Sequence, residues 1–430
     1  MRRGWMGVNV VGVLTASSLA LASIAGGSVG AVPASDASAR PDQSEQPGQP
    51  AVATVTGIVV HTATRQAADA AGRRSVALTG VPAAIGQVLA GGYRLIELDE
   101  PIAIDRAEAI SQQLVAEGLA DTAEPDYPRY ESAPPNDTLY AEQWNLSSSY
   151  HGDPNEPAYG IDVESAWNIT TGSSSLVVAV LDSGILPHPD IVNRVVPGYD
   201  MISSPAAARD GGGRDSDPFD EGSACGGNPS SWHGLHVAGT IGAETGNGTG
   251  IAGVDQQARI QPVRVLGMCG GSATDVADAI RWAAGLPVPD VPLNATPAKV
   301  INLSLGGPGN CMANEQDAIN AAVAAGAVVV VAAGNESVDL DSSSVSPANC
   351  ANVITVAATS RYGDRAAYSN FGSTVEIAGP GGEQVDNPDE RILSTLNSGL
   401  VDPDLTAGGW VYRQYQGTSM AAPHISGVIS

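Results

Sequence analysis

Four short segments carry the residue types that acyl transfer needs. Nucleophilic cleavage of a peptide bond takes a hydroxyl, an imidazole to accept its proton and a carboxylate to orient that imidazole. Asp182 closes the run Val178-Ala-Val-Leu-Asp182-Ser-Gly184, His233 opens His233-Gly-Leu-His236-Val-Ala-Gly-Thr240, and Ser419 sits in Gly417-Thr-Ser419-Met-Ala-Ala-Pro423. Alone, each has an ordinary reading: a turn aspartate, a structural histidine, a helix cap. The fourth segment, Val328-Val-Val-Val-Ala-Ala-Gly334-Asn335, delivers a carboxamide at the end of an apolar strand. Its side-chain N–H, with a free backbone N–H at a helix start after Gly417, makes a pair of donors suited to an oxyanion.

These residues must be held on rigid elements. From about residue 137 onward, short apolar runs at 176–181, 260–266, 300–305, 327–332 and 353–357 alternate with helical patterns at 236–242, 273–284 and 315–325. Alternation of this kind predicts a three-layer α/β domain, a mostly parallel sheet flanked by helices. Asp182 and Asn335 would then lie at the C-terminal edge of the strands, where open α/β sheets place their ligands. A smaller α/β unit precedes it over residues 52–130, with strand patterns at 53–61 and 93–98 and a helix over 106–117 that Asp105 would cap.

The Met1-Arg2-Arg3 start and the apolar stretch that follows read as a secretory signal over residues 1–31. Residues 32–51, rich in Pro, Ser, Gln and acids, read as a disordered linker, and the Pro-Pro segment 131–136 as a second one open to cleavage. The net charge of −26, concentrated from Asn136 onward, disfavours phosphate backbones and attracts cations. Nucleic acid is therefore not an expected partner, nor is a membrane once the signal is removed. Four cysteines in an exported chain imply two disulfides; the simplest of the three pairings joins Cys225 to Cys269 and Cys311 to Cys350.

The segments around Asp182, His233, Asn335 and Ser419, in that order, resemble the subtilisin (subtilase) family of serine proteases, over roughly residue 136 to the end. The resemblance implies a secreted, monomeric serine endopeptidase acting on proteins or peptides through an acyl-enzyme. Ser419 would be the nucleophile, His233 the base, Asp182 its orienting partner and Asn335 an oxyanion donor. Ser304, Leu305 and Gly306 would pair with substrate backbone as an added strand, with Gly270 and Gly271 as the opposite wall. It also makes residues 52–130 an inhibitory propeptide that aids folding, cleaved off near residues 132–136. Family members continue beyond a helix like the one Ser419 opens, so the peptidase domain, 137–430, is expected to be cut short at its C-terminus. One departure is local: Leu235 stands between the two histidines where most relatives carry Thr.

The resemblance further implies structural calcium, with Gln143, Asp190 and Asn247, in the loop 244–251, as ligands. An Asp/Gly insertion, Asp210-Gly-Gly-Gly-Arg-Asp215-Ser-Asp217, offers hard oxygen ligands for a second ion. The rival from another class is a calcium-binding secreted scaffold that keeps the fold without turnover. An esterase of the α/β-hydrolase kind fits less well, because the Gly-x-Ser-x-Gly elbow is not matched around Ser419.

Overall fold

The computed structural model describes residues 54–127, 134–147, 159–384 and 390–430. The expected signal and first linker, and residues 131–133 of the second, lie outside them. The chain divides into two compact units, residues 1–128 and 129–430.

The described part of the first unit runs β1 (Thr54–His61), α1 (Arg65–Thr79), β2 (Ala83–Val88), β3 (Tyr93–Ala103), α2 (Ile104–Ala116) and β4 (Thr122–Pro125). Its antiparallel sheet has the order β2-β3-β1-β4. Helix α2 starts earlier than the sequence pattern indicates: Ala103 takes the N-cap position, and Asp105 stands in the first turn, where its charge favours the positive helix end. Helix α1 escapes the pattern reading because its buried face is Ala68, Ala71, Gly72, Ser75 and Thr79, small residues with little apolar contrast. Its ends are marked by Thr64, whose hydroxyl accepts from Ala67 N at 3.2 Å, and by the left-handed Gly80.

The second unit continues with α3 (Val163–Trp167), β5 (Val177–Asp182), β6 (Tyr199–Asp200), α4 (Pro205–Ala208), α5 (His233–Gly242), β7 (Arg259–Arg264), α6 (Ala273–Ala283), β8 (Val300–Leu303), β9 (Gly307–Pro308) and α7 (Ala313–Ala324). It closes with β10 (Val328–Ala332), β11 (Val345–Ser346), β12 (Ile354–Thr359), β13 (Ile377–Pro380), β14 (Ile392–Asn397), β15 (Trp410–Tyr415) and α8 (Thr418–Ile429). Seven strands form one sheet in the order β13-β12-β10-β8-β5-β7-β6, and every neighbouring pair is parallel.

The alternation of side chains along β5 explains the layers. Val177, Ala179 and Leu181 join one core with α6 and α7; Val178 and Val180 join the other with α5 and α8. Asp182 has the parity of Val178 and Val180, so its carboxylate emerges on the side of the sheet that carries α5 and α8. Leu235 belongs to this second core and is fully buried, so the departure from Thr there contributes packing rather than a hydroxyl. Cys225 is bonded to Cys269 and Cys311 to Cys350, as the simplest pairing predicts.

Candidate active site

Asp182 ends β5 and is fully buried, while His233 is the first residue of α5. The helix therefore starts three residues before its predicted limit and carries the imidazole on its first turn. His233 Nδ1 lies 2.8 and 2.9 Å from the two Asp182 oxygens, and Oδ1 also accepts the Ser183 N–H at 2.8 Å. Burial disfavours the imidazolium, but the Asp182 charge, its hydrogen bond and the further charge of Asp220 outweigh that, and the His233 pKa is raised above its ordinary value. The side chain is 22% exposed and lines the cleft.

Ser419 is the second residue of α8. Its N–H is among the first-turn donors that a helix leaves without an internal acceptor. Its hydroxyl donates to the carbonyl of Ser304, the residue after β8, at 3.1 Å. The return contact, Ser304 Oγ to Ser419 O at 2.8 Å, follows from Pro423. Proline has no N–H for the carbonyl four residues back, and that carbonyl is Ser419 O. Asn302, buried in β8, continues the link, donating to Ser304 Oγ at 2.9 Å and accepting from Ser426 Oγ of α8 at 2.8 Å. Asn302 and Ser426 escape the sequence reading, since isolated polar residues in apolar runs carry no periodic signal.

Asn335 follows β10 through Gly334, whose φ of +100° favours glycine. A Cβ there would also lie 2.4 Å from the Asn370 amide nitrogen. Asn335 Oδ1 accepts from Thr418 N at 2.8 Å and Thr418 Oγ1 at 3.1 Å, which fixes the carboxamide at the start of α8. Asn335, His233 and Ser419 line one cleft of about 720 Å³, together with Ser304, Leu305, Gly306 and Gly270. Gly271 lines an adjoining cavity of about 510 Å³, which also has Leu305 and Gly306 in its wall. The cleft thus brings together a carboxylate-held imidazole, a hydroxyl at a helix start and two N–H donors on separate elements.

The expected calcium ligands behave differently. Both amide atoms of Gln143 meet Ala252, Nε2 donating to its carbonyl at 2.9 Å and Oε1 accepting its N–H at 2.7 Å, which leaves Oε1 one further lone pair. Asp190 Oδ1 accepts from the Asn247 amide at 2.7 Å, and Oδ2 from Ile251 N at 3.0 Å and the Tyr412 hydroxyl at 3.2 Å. Beside it lies an acid that the sequence reading overlooked. Asp137 is 5% exposed; one oxygen accepts Gly246 N at 2.7 Å, and the other, Oδ1, is buried without a hydrogen-bond partner. Burial, with the neighbouring Asp137 charge, pushes Asp190 up to about 6, and burial raises Asp137 as well. Two desolvated carboxylates, one with an orphaned oxygen, fit a hard cation.

The carboxylates of the Asp/Gly insertion are engaged locally. Asp210, Asp215 and Asp217 each turn an oxygen back onto a backbone N–H two residues on, those of Gly212, Asp217 and Phe219. Among the described residues, only Cys311, Glu315 and Cys350 gather three acidic, His or Cys ligand atoms, and both sulfurs there are oxidised. Each of the three insertion carboxylates thus closes a turn of its own loop with one oxygen.

A family model described as the subtilase family matches residues 173–430. An extracellular protease of Xanthomonas campestris pv. campestris is 46% identical over 82% of this chain and 60% of its own length. An extracellular basic protease of Dichelobacter nodosus is 42% identical over 75% of this chain and 52% of its own. The chain thus spans between half and two thirds of the length of these relatives. Among solved structures, a protease from Pseudoalteromonas arctica is similar with a TM-score of 0.64 and 48% identity, covering 69% of this chain and 86% of that one. The matched region holds the seven-stranded sheet and all four residues of the cleft's donor and nucleophile set, and on these grounds the chain belongs to the subtilase family.

Proposed function

We propose that this protein is an extracellular serine endopeptidase. The observation that carries the reading is the convergence on one cleft of the Asp182–His233 pair, the Ser419 hydroxyl at the start of α8, and an Asn335 amide whose oxygen is held by Thr418. The Ser419 hydroxyl rotates from Ser304 O to His233 Nε2 when a substrate carbonyl fills the cleft. Ser419 Oγ then forms a bond to the carbonyl carbon as its proton passes to His233 Nε2. Asp182 holds Nδ1–H and stabilises the imidazolium, and Asn335 Nδ2 and Ser419 N–H receive the negative oxygen. Collapse expels the amine, which takes the proton from His233. Water repeats the sequence in reverse roles and releases the acid.

Ser304–Gly306 offer backbone to an extended peptide, a contact that reads little side-chain identity. The first unit serves as a propeptide, assisting folding and blocking the cleft until removal. Asp137 and Asp190, with backbone carbonyls of the loop 244–251, would hold a calcium ion, which would supply structural charge neutralisation. Extracellular action is supported by the relatives named extracellular proteases and by the two disulfides. The test is hydrolysis of an unfolded protein substrate by the secreted, processed protein alongside Ser419→Ala. Cleavage by the parent and none by the variant is expected; equal rates, or none in either, would sink the reading.

A further inference from the structure

Behind the Asp182–His233 pair lies a second buried acid. Asp220 is 1% exposed and sits in the segment that precedes α5. Its Oδ2 accepts the Ser183 hydroxyl at 2.7 Å, and its Oδ1 accepts Gly222 N at 2.9 Å. Ser183, also 1% exposed, is the residue after Asp182. Besides donating to Asp220, its Oγ accepts the N–H of Gly234, the residue after His233, at 3.0 Å. The backbone on both sides of the pair is therefore fastened to one hydroxyl, and that hydroxyl is oriented by one carboxylate. The fit is close: a Cβ on Gly234 would lie 2.3 Å from Gly184 O and 3.2 Å from the Asp182 Cβ.

The charges facing Asp220 are distributed over every packed element. Asp182 faces it from β5, His233 from α5 and Arg264 from β7, with Glu221 beside it in its own loop. Arg264 is fully buried and stands in register with Asp182 on one side and Asp200 on the other. Its hydrogen bonds go to Asp200 at 2.5 Å and to Ala208 O at 2.6 Å, and its Nη1 is 3.6 Å from Asp210. Arg264 is thus shared among several acids, and no ion pair within 4 Å joins it to Asp220 among the described residues. A carboxylate left in that position adds negative potential on the side of Asp182 away from the cleft, where it favours a cationic ring.

The geometry points to Asp220 as a positioning residue of the site: through the Ser183 hydroxyl it fixes the Asp182 turn against the first turn of α5, and its charge assists Asp182 in stabilising the His233 imidazolium. This rests on the reading of the cleft as a peptidase site, deepens it, and is separable from it by experiment.

The imidazole of His233 is titrated by NMR in the full chain carrying Ser419→Ala, with and without Asp220→Asn, so the readout needs no turnover. The expected result is a fall of about one pH unit in the His233 midpoint. In the active chain, Asp220→Asn should carry the acid limb of kcat/KM down by the same amount and lower kcat several-fold with little change in KM. Ser183→Ala should lower kcat similarly and Ser183→Thr should restore it, a contrast that serves if the Asp220 variant does not fold. An unmoved midpoint, or Ser183→Ala with parental kcat and only a lower Tm, would overturn the inference. A shifted midpoint in a chain that cleaves no peptide would instead leave this inference standing and remove the peptidase reading.

Discussion

Two of the places in the second unit where acidic side chains are withdrawn from water are solved in opposite ways. At the sheet edge, Asp182 has a partner for each oxygen: His233 Nδ1 reaches both and Ser183 N–H one. At the loop 244–251, Asp190 is provided with three donors, but Asp137 beside it keeps one buried oxygen with none. The first arrangement is complete from the chain alone and is ready to hold a proton donor in place. The second places two carboxylates in a poorly solvated pocket, and under the proposed function a cation would complete it. One polar cluster performs chemistry, and the other secures the loop that follows α5 on the same sheet face.

The sharpest way to separate the two is to damage each and read both activity and stability. Asp182→Asn keeps the shape but loses the charge that fixes the ring. A loss of about 10⁴-fold in kcat, the size that such a change has in triad hydrolases generally, is expected with KM nearly unchanged. Progress curves on a peptide substrate check it. Chelation should do the reverse. Removing a cation held a thousandfold above its dissociation constant withdraws about 4 kcal/mol of stability, and Tm in a calorimetric scan should fall by about 10 °C. Calcium should restore it, and Asp137→Asn should be nearly blind to both treatments.

Much of the first region was legible in the sequence and little of the second. The Asp182, His233, Asn335 and Ser419 segments each couple a reactive residue to a strong local signal, an apolar strand end or a small-residue helix start, and their chain order joins them. Asp137 has no such signal: it directly follows a Pro-rich stretch that reads as a linker, and only the fold brings it to residue 190. Gln143 enters the ligand set by resemblance alone, since nothing in its own segment foretells that its carboxamide pairs with the Ala252 backbone. The parallel sheet was visible as apolar runs, whereas the β14–β15 hairpin, part polar on both faces, was not.

A smaller effect distinguishes the two regions by pH. His424, buried in α8, donates from Nδ1 to Met420 O at 2.7 Å, and its Nε2 meets the Asn145 amide at 2.7 Å. Burial lowers its pKa to about 4. Because the folded value lies below the unfolded one, its contribution is complete above about pH 6.5 and is lost as pH falls through about 4. His424→Gln, which cannot take up a proton, should therefore flatten the decline of Tm between pH 6 and 4, with an effect of up to about 3 kcal/mol. The difference between parent and His424→Gln should survive chelation, because His424 and the loop 244–251 are independent sites. The smallest change expected is Tyr412→Phe, which removes one donor from Asp190 and should cost about 1 kcal/mol in a denaturant melt with calcium present.

The central claim is that Ser419 is a nucleophile activated by His233. A fluorophosphonate added to the secreted, processed protein, followed by peptide mapping in a mass spectrometer, tests it most directly. The prediction is one adduct per chain, on Ser419 in the α8 segment, formed far more slowly in Asp182→Asn and absent in Ser419→Ala. An active preparation without that adduct, or with the label on another serine, would contradict the account.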